Sequence, residues 1–496
     1  MKRIVIGVGA ILAACGTSGE GSSGVDAGGA PDGADAARVP AGVKRTDPAA
    51  VHVEGGAFRD GRGRQLLFRG YNTKVNGLFD VSFDDGRRPN YTFAGFEEKD
   101  AVRFEQLGFD VMRLPVSWSA LEPHPRAYSE AFLQKLDQVL DMARRHAFYV
   151  VIDMHQDSYS KEIGEDGAPL WAIVPPPPAL LEGPSDDSRR TTGPVLSAGF
   201  SFFADAKATD GRPLQEAFID AVLVMARRFV GNPSVLGYED FNEPVVLQHD
   251  QLDAFHARFA DALHDVDADA PVLFEPTATR NQTDAAFMPS APWSNGPGVY
   301  TPHIYTGQFS LPSQNGWESE DPAVLAPSMI AAVKEAAAWG TPLFVSEFGC
   351  DQSVPRGARW MEAELDLQDR ALASSTAWAW DSGGWGFTSS AGVEWPATTR
   401  VMSRMFPRAV AGDLIAIDRP AAGQMRVRFR ATARAAGAPN EVSVSADHVT
   451  GYAITCDGAS VPFEAKAGRA TFVCPPVASV ADGAEHVFEV TGTPVP

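Results

Sequence analysis

The chain is poor in cysteine, poor in basic side chains and almost without long apolar runs, and each scarcity excludes something. Four cysteines in 496 residues cannot staple a disulfide scaffold. A chain that is 44% hydrophobic and 10% aromatic must instead fold around ordinary apolar cores. Two folded domains are expected, because one core seldom serves so many residues. Lys and Arg number 42 against 63 Asp and Glu, a net charge of -21. With no basic stripe to meet phosphates, a nucleic-acid partner is excluded and a neutral substrate suits the balance. The apolar run at the start, Ile4 to Ala14, is too short to cross a bilayer.

That run follows Lys2 and Arg3 and reads, with them, as a signal peptide over residues 1–15. Its end, Leu12-Ala13-Ala14-Cys15, resembles the bacterial lipobox, which implies acylation of Cys15 and a lipid anchor in a membrane. An ordinary secretory signal is the alternative. Gly16 is not the aspartate that retains such lipoproteins at an inner membrane, so the outer membrane or cell surface is the expected location. Residues 16–50 are Gly, Ser, Ala and Asp with hardly a large apolar side chain and are expected to form a disordered tether. Cys456 and Cys474 are spaced for a bridge that an oxidising compartment permits. Cys350 reads as a buried small hydrophobe.

From residue 51 to 406 short β-rich runs alternate with amphipathic helical stretches, the pattern of parallel βα units. The strand candidates are Leu66 to Tyr71, Phe109 to Val116, Phe148 to Met154, Val235 to Phe241, Pro271 to Glu275, Val299 to Tyr305, Leu343 to Glu347 and Thr376 to Trp380. Helices are expected at Ser129 to His146, Leu214 to Val230, Pro327 to Trp339 and Trp360 to Ala373, with the weakest after Glu275. Eight such units fit a (β/α)8 barrel. The long stretch from His155 to Gly211 reads as a lid or binding loop, or as a plain surface excursion. Over residues 407–496 helical periodicity gives way to short alternating runs, Gln424 to Ala431, Asn440 to Ala446, Ala470 to Val473 and His486 to Val490, expected to form a small β-sandwich.

Polar residues gather where the barrel strands end: Asn72, Arg113, His155, Asn242 with Glu243, Glu275, His303 with Tyr305, Glu347, and Trp378 with Asp381. Buried strands have no structural use for them, whereas barrel enzymes place their chemistry at that face. The sharpest pair is Asn242-Glu243-Pro244 and Ser346-Glu347-Phe348-Gly349. Two carboxylates facing each other across a pocket suit glycoside hydrolysis: one gives a proton to the leaving oxygen, the other attacks or assists at the anomeric carbon. A lone glutamate there would read as a solvated charge or a salt bridge with Arg113. Their neighbours favour chemistry, since Asn242 can bond a sugar 2-hydroxyl, Tyr305 can donate to Glu347, and Arg113 can favour a carboxylate there. Crowding is expected to keep Glu243 protonated.

In these motifs the sequence resembles glycoside hydrolase family 5, and within it the endoglycoceramidase-like enzymes. The resemblance rests on Met112-Arg-Leu-Pro-Val-Ser-Trp118, Asp153-Met-His-Gln-Asp157, Asn242-Glu-Pro244, Pro302-His-Ile-Tyr305 and Ser346-Glu-Phe-Gly349. It implies a retaining β-glycosidase, needing no cofactor, with Glu243 as acid/base and Glu347 as nucleophile. Arg113, His155, Asn242, His303, Tyr305 and Trp378 would be the supporting set. Asp153 to Ser160 and Gly167 to Ala172 look like endoglycoceramidase segments and imply sugar or lid contacts for Asp157 and Trp171, with Lys74 as a sugar-binding lysine. The implied substrate is a sugar β-linked to a lipid such as ceramide, and a monomer is expected. Tyr238-Glu-Asp-Phe241, more acidic than the family's apolar run, and Asn76 to Pro89 depart from the pattern.

Rival readings remain open on residues alone. Asp153, His155 and Asp157 alternate as a metal site would, but no His-x-His pair lies on the first strand, so no metal is expected. Glu275 reads as a supporting group, and Trp380 as core or as a second stacking platform. An endo-acting β-glucanase or mannanase would use the same barrel with an open cleft and several stacking tryptophans. A non-catalytic carbohydrate-binding surface lipoprotein would normally lack one of the two carboxylates. Phe200, Phe202 and Phe203, read as an apolar loop beside the site, favour an amphiphilic substrate.

Overall fold

A computed structural model describes residues 44–47, 49–185, 187–280, 296–308, 322–354, 356–475 and 483–495. The expected signal peptide, Cys15 and most of the expected tether lie outside them, as does the weak helix expected after Glu275. Among the described residues no helix is long and apolar enough to cross a membrane.

The eight expected strands form one parallel sheet: Arg69–Asn72, Val111–Ser117, Tyr149–His155, Val235–Glu239, Val272–Phe274, Gly298–Tyr300 continued by His303–Ile304, Phe344–Phe348 and Ser374–Ala377. The last strand pairs with the first, Thr376 opposite Gly70. The sixth meets the seventh through His303 opposite Glu347 and a bridge from Tyr300 to Leu343. The ring is therefore closed, a (β/α)8 barrel. Gly70 permits the tight approach of the first two strands, since a Cβ there would stand 1.7 Å from the Val111 carbonyl oxygen.

The helices form where the apolar periodicity places them. Glu130–His146 buries Phe132, Leu133, Leu136, Val139, Leu140 and Ala143 along one stripe. Ser129 caps its start by accepting from the Phe132 N–H at 3.2 Å, and Ala147 ends it in the left-handed region. Leu214–Phe229, Ala326–Trp339 and Gly357–Ala371 complete the other expected helices.

At the N-terminal end of the barrel strands the antiparallel pair Val51–Glu54 and Ala57–Asp60 closes the interior. Phe58 meets the rings of Phe68 and Phe344 edge-on, at 5.2 and 6.3 Å. Val111, Val151, Leu236, Leu273 and Val299 belong to the same cluster. The expected tether ends earlier than residue 50: Arg45 is 4% exposed, donates to the Val235 carbonyl at 2.6 Å and pairs with Asp267 at 3.1 Å. A buried ion pair fixes that segment where composition alone suggested disorder.

The C-terminal region is a two-sheet β structure. One sheet runs Gly412–Asp418, Gln424–Ala431, Glu485–Pro494, Val449–Cys456, Ala459–Ser460. The other joins Phe406–Val410, Asn440–Ser443, Arg469–Phe472 and Phe463–Lys466 to the N-terminal hairpin through Gln65–Leu66. Met425, Val427 and Phe429 alternate inward along one strand onto Phe472 and Phe488. Cys456 and Cys474 are disulfide-bonded, and Cys350 is free and buried.

Candidate active site

At the C-terminal end of the barrel the strand-end residues converge around Arg113, whose side chain is wholly buried. Its guanidinium donates to Glu347 Oε1 at 2.6 Å, Asn72 Oδ1 at 2.8 Å, Asn242 Oδ1 at 2.9 Å and Glu275 Oε1 at 3.2 Å. It also pairs with Asp153 at 3.1 Å and with Glu239. Burial opposes its charge, but the surrounding carboxylates outweigh that and push its pKa well above the ordinary value. A buried cation of this kind is tolerable only with several anions around it. Glu239 and Asp240, the acidic departure in the fourth strand, are thereby accounted for: Glu239 binds Arg113 and Asp240 binds His256.

Glu347 projects from the seventh strand and receives the Tyr305 hydroxyl at 2.7 Å on Oε2. Glu243 follows the fourth strand with φ at 45°, a conformation that costs about 1–3 kcal/mol in a non-glycine residue. The turn is held by Glu275, which accepts the Glu243 N–H at 3.0 Å, and by Gln156, whose amide donates to the Asn242 carbonyl at 2.7 Å. Pro244, next in the chain, disfavours the right-handed helical alternative.

His303 links the two carboxylates, with Nδ1 at 2.9 Å from Glu243 Oε1 and 3.4 Å from Glu347 Oε2, and Nε2 at 3.2 Å from Glu275. Burial works against a charged imidazole, yet Glu275, Glu347 and Glu243 together push its pKa well above the usual range. The same contact acts in reverse on Glu243. Burial raises it, but the hydrogen bond and charge of His303, with Arg190 beyond, bring it below the ordinary carboxylate value. The net shift on Glu243 is therefore downward, set by His303 and Arg190, opposite to the upward shift expected from crowding. Glu275 is pushed up to about 8, chiefly by burial, and serves as a support bonded to both partners.

A second group lies beside this one. His155 stacks on Trp378 with ring centres 5.4 Å apart, and its Nδ1 lies 2.7 Å from Asp153 Oδ2. Lys74 Nζ stands 4.8 Å from the Trp378 ring centre and 5.0 Å from that of Tyr91, and 3.5 Å from Asp381. Asp157 faces His155 Nε2 at 3.7 Å and Arg190 at 2.7 Å. Burial raises Asp157, but Arg190 and His155 pull it below its ordinary value.

Three expected contributors are placed elsewhere. Trp171 packs edge-on against Trp118 at 5.2 Å and donates to the Glu122 carbonyl at 3.1 Å. Trp380 stacks on Phe387 at 4.0 Å within the core. The apolar loop is a helix, Gly193–Phe203, begun by Pro194; Phe202 is 0% exposed, wedged among Phe218, Phe241 and Phe255. All three are packing residues, because a large aromatic side chain beneath a long connection supplies the core that connection needs. In the other direction, Arg190, Asp166 and Tyr91 join the site without any sequence motif to announce them.

Three sets of side chains could each offer a metal three ligand atoms lying within 4.8 Å of one another: His155, Asp157 and Asp166; Glu239, Glu275 and His303; Glu243, His303 and Glu347. Each set already contains carboxylates neutralised by Arg113 or Arg190. The last set bears directly on chemistry, since it puts a carboxylate oxygen of Glu243 within 4.8 Å of one of Glu347.

Comparison with known proteins agrees with this fold. The chain is 27% identical over 442 residues to endoglycoceramidase I of Rhodococcus hoagii, covering 83% of each chain. It is 26% identical over 254 residues to a glucosylceramidase of Rhizopus delemar, 41% of this chain and 37% of that one. Among solved structures, endo-glycoceramidase II from Rhodococcus sp. superposes with a TM-score of 0.71 at 26% identity, over 88% of this chain and 99% of that one. The family model described as cellulase, glycosyl hydrolase family 5, matches residues 69–384. With that match spanning most of the chain and the paired strand-end glutamates in place, the protein belongs to glycosyl hydrolase family 5 and is a glycoside hydrolase.

Proposed function

We propose that the protein is a retaining β-glycosidase that releases a sugar or oligosaccharide from a lipid aglycone of the ceramide type. The observation that carries the retaining reading is the approach of the Glu243 and Glu347 carboxylate oxygens to within 4.8 Å. Retaining enzymes keep their two carboxyls about 5–5.5 Å apart, whereas inverting ones leave room for a water. A structure of the Rhodococcus endo-glycoceramidase II is a lactosyl-enzyme intermediate, which supports the same course here.

In this reading Glu347 attacks the anomeric carbon, aimed by Arg113 and Tyr305, and Glu243 protonates the departing oxygen. The proton starts on His303, 2.9 Å from Glu243. Substrate expels water, disfavours separated charges and transfers it to Glu243. Once Glu347 is esterified its negative charge is gone, so Glu243 gives up a proton more readily and acts as base toward water. His155, Trp378, Lys74 and Asp157 bind the sugar.

The lipid part rests on likeness to endoglycoceramidases and on the exposed apolar side chains Val245 and Leu247, 42% and 68% exposed, which follow Glu243 closely in the chain. Acylation at Cys15, also proposed, would hold the enzyme near its substrate at the outer membrane or cell surface. Incubation with glycosphingolipids, steryl glucosides and soluble β-glucans, with products read by mass, tests the assignment. Intact glycan and ceramide are expected; faster cleavage of β-glucans than of any glycolipid would refute the lipid reading and leave the retaining glycosidase.

A further inference from the structure

We propose that Arg190 is a positioning residue for the Glu243 carboxylate, a cationic bracket by which the long connection after the third strand ties the acid/base group to Asp157. The proposal rests on the assignment of Glu243 as acid/base. Arg190 belongs to the 3-10 segment Asp187–Thr191, outside every motif that carries the family resemblance. Its Nη1 lies 2.7 Å from Asp157 Oδ1 and 3.4 Å from Glu243 Oε2, and its Nη2 lies 3.8 Å from Glu165 Oε2. Glu243 is thus gripped on both oxygens from different parts of the fold. His303, on a barrel strand, holds Oε1, and Arg190, on the connection, holds Oε2.

The two grips differ in kind. His303 is buried and offers the proton that chemistry uses, whereas the Arg190 side chain is 39% exposed and cannot lose its proton at working pH. A fixed cation at Oε2 orients the carboxylate without competing for the proton. It also makes the acid/base sensitive to the neighbouring sugar group, because Asp157 shares the same Nη1. A sugar hydroxyl bonded to Asp157 therefore loosens or redirects the hold on Glu243, which couples occupancy of that group to delivery of the proton.

The pH consequence has a definite sign. Facing Glu243 are His303 from the sixth strand, Glu347 from the seventh, Glu275 from the fifth, and Asp157 and Arg190 from the connection after the third, with Arg113 behind Glu275. Removing the Arg190 charge takes away a cation, so the Glu243–His303 pair keeps its proton to higher pH and the alkaline limb of kcat/KM moves up.

The test uses the full chain carrying Arg190→Gln or Arg190→Lys, with octyl and 2,4-dinitrophenyl β-glycosides of one sugar, glucose, galactose or lactose, whichever the wild type turns over. Arg190→Gln should lose about 10-fold or more in kcat on the octyl glycoside, which needs a proton, and under about 3-fold on the dinitrophenyl glycoside, which does not. Its alkaline limb should rise by about 0.5 to 1 unit, and Arg190→Lys should recover part of both effects. Equal losses on the two substrates with an unmoved limb, or wild-type behaviour throughout, would overturn the proposal. Glu243→Ala measured alongside separates the two levels: if it shows no dependence on the leaving group, the acid/base assignment itself fails, whatever Arg190 does.

Discussion

The two ends of this barrel are built from the same eight strands and obey opposite rules. At the N-terminal end the interior is apolar and sealed, with Phe58, Phe68 and Phe344 in edge contact beneath a hairpin that also belongs to one of the two C-terminal sheets. At the C-terminal end, Arg113 is surrounded by Asp153, Glu239, Glu275 and Glu347, with His303 among the same carboxylates. Packing is stabilising in the first case; in the second, buried charge is a cost that only a chemical task justifies. One end can therefore be altered at the expense of stability, the other at the expense of rate.

Five changes test that contrast. The largest effect is expected for Glu347→Gln, whose amide cannot form the glycosyl-enzyme: kcat should fall by about 10⁴-fold or more with a thermal midpoint close to wild type. Glu243→Ala should lose about 10²–10⁴-fold on substrates whose leaving group needs a proton, much less on dinitrophenyl glycosides, and should be rescued by azide. At the sealed end the signs reverse. Phe58→Ala should destabilise by about 3–5 kcal/mol in denaturant titration while the folded fraction keeps its kcat. Phe202→Ala belongs with it, since that ring is core: a common stability loss is expected, with no selective rise in KM for lipid glycosides. Reducing the Cys456–Cys474 bridge, which spans 18 residues, should cost about 3 kcal/mol and leave aryl-glycoside turnover unchanged below the melting range.

The barrel was legible because each strand couples a short apolar run to a polar end, and the observed strands fall within a few residues of those runs. Asn242-Glu243 and Glu347 were legible for the same reason, as polar groups that a buried strand would not otherwise carry. What remained hidden depends on the third dimension. Phe200-Ser-Phe-Phe203 has too short a pattern to separate a loop from a helix, and its burial is decided by Phe218, Phe241 and Phe255 on other elements. Arg190 lies in a polar stretch that looks like solvent-exposed connection until folding brings it to Asp157. The downward shift on Glu243 was likewise invisible, because His303 meets Glu243, Glu275 and Glu347 only when three further strands are in place.

The most direct test is to trap the enzyme with a 2-deoxy-2-fluoro β-glycoside bearing a dinitrophenyl leaving group and to map the labelled peptide by mass. One sugar per chain is expected, ester-linked to Glu347, with the label lost on transfer to an acceptor. A label on any other residue, or none while the same glycoside is turned over with inversion, would contradict it.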